Sequence, residues 1–235
     1  MVPIRDNNPT QILPVVTYGL IITNILIFGY ELSLGEELTA FFNQWAIVPK
    51  LLTLSFQGQP TGLPHPAWIT LITSQFLHGG FLHIAGNMLF LWIFGNNIED
   101  QLGHGKFLLF YLSCGALAGL AQWFFSINSP IPSLGASGAI AGVMGAYILR
   151  FPKAEILTLI PLGFFFWTVR VPAYLFLGFW FLQQAFFSFA SLDTPTSTTM
   201  TEGGIAYWAH AGGFVFGVIL GPLLGLFDPK RRHYR

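Results

Sequence analysis

Nearly every charged residue in this chain falls between apolar runs of about 20 residues, the length that crosses a bilayer. The runs cover residues 12–32, 68–94, 107–127, 171–189 and 205–226, with a shorter one at 137–149. Only 9% of the residues are charged and 53% are hydrophobic, against about 25% charged in a soluble domain. Such a chain cannot cover itself with polar surface. It is read as an all-α integral membrane protein with six transmembrane helices. The formal net charge of +0 leaves no electrostatic footprint for nucleic acid, and none is expected as a partner. The N-terminus lacks the basic region and small-residue cleavage site of a removable signal peptide, so the first run is expected to stay as a span. The single cysteine, Cys114, excludes an intrachain disulfide and reads as a packing residue.

Six spans put both termini on one side. With the termini cytoplasmic, Arg5, Lys106, Arg150, Lys153, Arg170, Lys230, Arg231, Arg232 and Arg235 are inside and only Lys50 is outside, the asymmetry that sets orientation. The expected organisation is a short cytoplasmic tail at 1–11, a membrane domain at 12–226 and a basic cytoplasmic tail at 227–235, in the cell membrane. Segment 33–67 is too apolar for a free loop and is expected at the interface. Residues 95–106 read as a polar turn in which Glu99 and Asp100 cap or pair with basic neighbours. Residues 150–170 read as an interfacial connection, and polar residues 191–204 as an outer cap.

The stretch Gly135-Ala136-Ser137-Gly138-Ala139-Ile140-Ala141-Gly142 carries no charge and no large polar group. Gly138, Gly142 and Gly145 recur at i, i+4 and i+7, a small-residue stripe that lets another backbone approach. Ser137 opens that helix and could simply cap it. His210 has Gly213 and Gly217 at i+3 and i+7 on its own face. Pairing the two stripes would bring Ser137 and His210 together. His83 and Asn87 share a face of the second span, where each could instead make a helix–helix hydrogen bond worth about 0.6 kcal/mol. His78 precedes Gly79-Gly80 and reads as lying near the outer interface. Three histidines raise a metal site, but the spans are read as holding no carboxylate and a structural metal demands a fourth ligand. No metal and no cofactor are expected.

These groups suit acyl transfer. A serine hydroxyl becomes nucleophilic when an adjacent base takes its proton, and a neutral imidazole is the common base. The tetrahedral intermediate needs donors at its oxyanion. Asn87, His83 and the Ser137 backbone N–H are the candidates. With no carboxylate to complete a triad, the reading is a Ser137–His210 dyad.

The pattern resembles the rhomboid family of intramembrane serine proteases through His83-x-x-x-Asn87, Gly135-x-Ser137-Gly138 and Ala209-His210-x-x-Gly213-x-x-x-Gly217, in that order on the second, fourth and sixth spans. The resemblance implies a six-helix rhomboid-like bundle with Ser137 as nucleophile and His210 as base. It implies Asn87, His83 and Ser137 N–H at the oxyanion, and close packing of spans four and six through Gly138, Gly142, Gly213 and Gly217. The implied partners are the lipid bilayer and single-span membrane-protein substrates, cut in or near the membrane segment. Two positions depart from the pattern. Trp45 is followed by Ala46, where many members have Trp-Arg. Ala141 stands where an aromatic residue often packs against the histidine. The competing readings are an inactive rhomboid-like protein that binds membrane clients, and a transporter, for which no inverted repeat is evident.

Overall fold

The computed structural model describes residues 1–163, 165–191 and 206–228. Residues 192–204 of the expected cap, the start of the sixth span at Ile205 and the basic tail from Lys230 lie outside the described residues.

Among the described residues, four helices are long and apolar enough to cross a membrane: α1 (Val15–Ser33), the continuous helix Phe81–Leu102, α7 (His104–Phe125) and α9 (Ala173–Ala190). Between α1 and the second of these come α2 (Leu38–Trp45), α3 (Pro49–Phe56) and the single turn α4 (Thr70–Thr73). Helix Phe81–Leu102 comprises α5 (Phe81–Phe90), a π turn at Leu91–Gly95 and α6 (Asn96–Leu102). The two remaining apolar helices are shorter: α8 (Ser137–Arg150) and α10 (Tyr207–Leu223). At 1.5 Å per residue α8 is about 21 Å long, less than the hydrocarbon thickness of about 30 Å. It is also the most enclosed, with every residue from Gly138 to Tyr147 buried.

The second span differs from the sequence reading in both bounds. Its first part, from Trp68, is broken into short turns, with extended backbone at Leu77. The helix then continues through the polar residues 95–102, so the expected turn at 95–106 shrinks to Gly103. It can continue because those polar groups have partners. Glu99, fully buried, accepts the backbone N–H groups of Val16 (2.9 Å) and Thr17 (2.8 Å) and the Thr17 hydroxyl (2.7 Å). Asp100 accepts the N–H groups of Gln11 and Ile12, both at 3.1 Å. Glu99 therefore caps α1, which has no side-chain cap of its own, at the positive end of its dipole, while Asp100 holds the segment that leads into it.

The chain is mostly helical rather than all-α. Residues 150–170 are not a loose connection but contribute a hairpin, β2 (Glu155–Leu162) and β3 (Phe165–Pro172), to which β1 (Val2–Asp6) adds a third antiparallel strand in the order β1-β2-β3. Ile156 and Thr158 are fully buried on one face of β2. Asp6 ties the sheet to the helices, accepting the Tyr147 hydroxyl (2.5 Å) and the Asn97 amide (2.9 Å). Burial pushes the Asp6 carboxyl up from its usual range.

The tightest seam joins α8 and α10. A Cβ built at Gly213 would run into the Gly138 carbonyl, one at Gly217 into the Gly142 backbone, and one at Gly145 into the Phe214 carbonyl. Backbone lies against backbone, so no rotamer change can make room. Gly213→Val is expected to lower the melting temperature, because overpacking costs about 1–3 kcal/mol even where side chains can yield. Gly19→Ala on α1, where a Cβ meets nothing within 4 Å, should leave the melting temperature unchanged. Equal melting curves for both variants would rule the seam out as a stability determinant.

Candidate active site

Ser137 is the first residue of α8, and the chain reaches it through a constrained approach. Ser133 pairs with Ile47 across an isolated bridge, and the Gly135 N–H donates to the Ser74 carbonyl at 2.8 Å. Gly135 has φ +126, and a Cβ there would come within 2.8 Å of His83 Nε2. Only glycine serves both conditions, a left-handed backbone and an imidazole lying across it. His83 is thereby held beside the serine loop.

The α8–α10 seam carries Ser137 Oγ to 2.7 Å from His210 Nε2. The other ring nitrogen, Nδ1, faces Gln184 Oε1 on α9 at 2.9 Å. An amide oxygen only accepts, so Nδ1 carries the proton and Nε2 offers its lone pair to the serine hydroxyl. Gln184 thus sets the tautomer that a general base requires. The Trp180 ring, also on α9, lies 5.8 Å from the His210 ring at 34°, an aromatic neighbour supplied from a different helix than the one bearing Ala141. Ala141 itself is fully buried.

Asn87 and His83 share a face of α5, as their spacing implies, but Asn87 does not stand alone. Its Nδ2–H donates to His78 Nε2 at 2.9 Å. His78 is 1% exposed and stacks edge-on against His83 with ring centroids 5.1 Å apart. It is packed inside the protein, where it grips the Asn87 amide. The His78 backbone N–H in turn donates to the carboxylate of Glu31, at 3.2 and 3.3 Å. Glu31 is 2% exposed in the last turn of α1, so the first span does hold a carboxylate, contrary to the sequence reading. It lies on the far side of His78 from the serine and completes no triad.

Sequence reasoning missed Gln184, His78 and Glu31 as parts of this cluster. The signal was present: each is a polar side chain within or beside an apolar run, where such groups are costly. A cavity of about 30 Å³ opens beside Ser137, lined by Ser74, Gln75, Gly135 and Gly138 among others. That volume admits one water molecule, and Gln75 Oε1 is buried there with no other partner. Among the described residues no group of three His, Cys, Asp or Glu side chains is placed to hold a metal ion. Chemically, the arrangement presents a hydroxyl hydrogen-bonded to an imidazole that a second side chain orients, with the His83 ring beside the loop that leads to the serine.

Residues 65–227 match the family model described as the Rhomboid domain. Among similar proteins, Rhomboid protease GluP of Bacillus subtilis is 38% identical over 135 residues, which are 57% of this chain and 24% of that protein. Rhomboid protein 1, mitochondrial, of Saccharomyces cerevisiae is 33% identical over 172 residues, 71% of this chain and 45% of that one. Presenilin-associated rhomboid-like protein, mitochondrial, of Homo sapiens is 30% identical over 156 residues, 63% and 36% of the respective chains. This chain thus spans less than half the length of each of these relatives.

Gly135→Ala is expected to destabilise the protein by about 1–3 kcal/mol, the usual cost of a residue forced into a sparsely populated backbone region. Thermal unfolding measures it. An unchanged midpoint would mean that His83 and the loop before Ser137 move apart freely.

Proposed function

Because the chain belongs to the rhomboid family, we propose that it is an intramembrane serine endopeptidase acting on single-span membrane proteins. The observation that carries the proposal is the hydrogen bond from Ser137 Oγ to His210 Nε2, with the opposite ring nitrogen held by Gln184. In this reading Ser137 Oγ attacks the scissile carbonyl while His210 takes its proton, then gives that proton to the leaving amine. Water, deprotonated by the same His210, hydrolyses the acyl-enzyme. The oxyanion is met by the Ser137 backbone N–H, by His83 and by the second N–H of Asn87, the first being engaged by His78. Gln184 and Trp180 are positioning residues. Gln184 is neutral, so it orients His210 without supplying the charge that an aspartate would offer the imidazolium.

The proposal includes six spans across 12–226, with the short helices α8 and α10 as the fourth and sixth. It places the protein in the cell membrane with both termini cytoplasmic. The four long apolar helices and the nine-to-one distribution of basic residues read from the sequence support it. The lipid bilayer is then the surroundings of both enzyme and substrate.

Two experiments test these readings. Purified protein in proteoliposomes, assayed against a panel of single-span substrates, should lose hydrolysis to background in Ser137→Ala and in His210→Ala. The double variant should be no worse than either, since members of one catalytic unit are non-additive. Asn87→Ala should cost about 10²–10³ in rate. Gln184→Leu should lower kcat with little change in KM, and Gln184→Glu should restore part of it. Melting temperatures of all variants separate chemistry from folding. Hydrolysis by well-folded Ser137→Ala would end the protease reading and leave a client-binding protein. For orientation, cysteines at the exposed positions Gln59 and Lys153 should differ in intact cells: Gln59→Cys labelled by an impermeant thiol reagent, Lys153→Cys protected. The reverse pattern would invert the topology.

A further inference from the structure

The β2–β3 hairpin ends in side chains that nothing among the described residues covers. Phe165, Phe166 and Trp167 are 80%, 71% and 65% exposed. Cross-strand pairing places Ile156 opposite Val171 and Thr158 opposite Val169 on the face that packs against the bundle. Continuing the alternation puts Ile160, Trp167 and Phe165 on that same face, and Phe166 on the other. The pairing of β1 with β2 begins only at Val2 and Leu159. Beyond that point the hairpin is a two-stranded ribbon that overhangs its supports, with aromatic residues on both faces.

The base of the hairpin is polar. Arg5, Leu157 and Arg170 stand in register across the three strands, and Arg170 pairs with Glu155 at 3.6 Å. The ribbon also runs straight into a membrane helix. β3 ends at Pro172 and α9 begins at Ala173, and the outward residues Leu175, Phe179, Leu182 and Phe186 of α9 are exposed and apolar. In a multi-pass membrane protein that face of α9 meets lipid, so the aromatic tip is continuous with a lipid-facing surface.

We propose that the hairpin tip is a membrane-interface anchor, seating Phe165, Phe166 and Trp167 among the phospholipid headgroups of the leaflet beside the start of α9. Aromatic rings favour that depth. The backbone limits it from below: β3 is an edge strand with unpaired N–H and C=O groups, and an open edge is not tolerated in hydrocarbon. The anchor therefore lies in the plane of the interface and does not cross. It independently fixes the tilt of α9, the helix that carries Trp180 and Gln184. This inference rests on the membrane location alone and stands whether or not the protein cleaves peptides.

The test uses the whole chain in vesicles of phosphatidylcholine and phosphatidylglycerol. Phe166→Cys and Trp167→Cys, labelled with an environment-sensitive fluorophore, are compared with Lys153→Cys. The unaltered chain, whose only cysteine is fully buried, is the unlabelled control. The expected result is a blue-shifted emission at 166 and 167 and loss of most of that emission to a doxyl lipid labelled near the headgroup. A doxyl lipid labelled near the chain end and aqueous iodide should have little effect. Iodide quenching equal to that at Lys153→Cys would overturn the proposal, as would stronger quenching by the deep label. Efficient disulfide formation between two copies at either position would also overturn it, by making a second chain the occupant. Should labelling disturb folding, a photoactivatable phosphatidylcholine carrying its reactive group near the headgroup can be crosslinked to the unaltered chain. Adducts on residues 165–167 support the anchor, and adducts confined to the helices refute it.

Discussion

The close approach of α8 and α10 is the constraint on which the rest depends. Where lipid surrounds a protein, apolar side chains gain little by turning inward, and helix association relies on packing and hydrogen bonds. Gly213 and Gly217 remove the side chains that would hold the two backbones apart. The separation that results is what lets a short serine and a histidine reach each other at 2.7 Å. A wider seam would leave Ser137 as a helix-capping residue out of reach of the His210 ring.

Around that seam several interior polar groups are satisfied in pairs reaching across elements. Glu99 closes the start of α1, Asp100 holds the segment before it, His78 holds Asn87, Gln184 holds His210, and Asp6 gathers Tyr147 and Asn97. Each pair avoids the cost of an unpartnered polar group in an apolar setting. Each also fixes the relation of two helices, or of the sheet and a helix. The polar residues that could react are those left with a free donor or lone pair once these pairs are made.

Much of this was legible in the residues. α1, α7, α8, α9 and α10 fall within a few positions of the apolar runs, because a span of 20 residues is a strong signal. The Ser137–His210 contact followed from the phase of the glycines on two helices. The sheet was not legible. Apolar and aromatic runs at 159–162 and 164–167 blur the alternation that marks a strand, and the partner strand lies some 150 residues away in sequence. The start of α5 was hidden because apolar residues also fill the broken turns before Gly79-Gly80. Its end was hidden because Asn97, Glu99 and Asp100 look like loop residues until their partners on β1 and before α1 are known. Gln184 and Glu31 were visible as polar residues in apolar runs, but their partners are set by helix rotation, which composition does not report.

The hydrogen bond between Tyr147 and Asp6 has a practical corollary. The strand β1, through Asp6, is a structural partner of the helix that begins with Ser137. Trimming the first strand would strip a phenol and an amide of their acceptor and bare the edge of β2. An affinity tag fused directly to Met1 would press on the same strand.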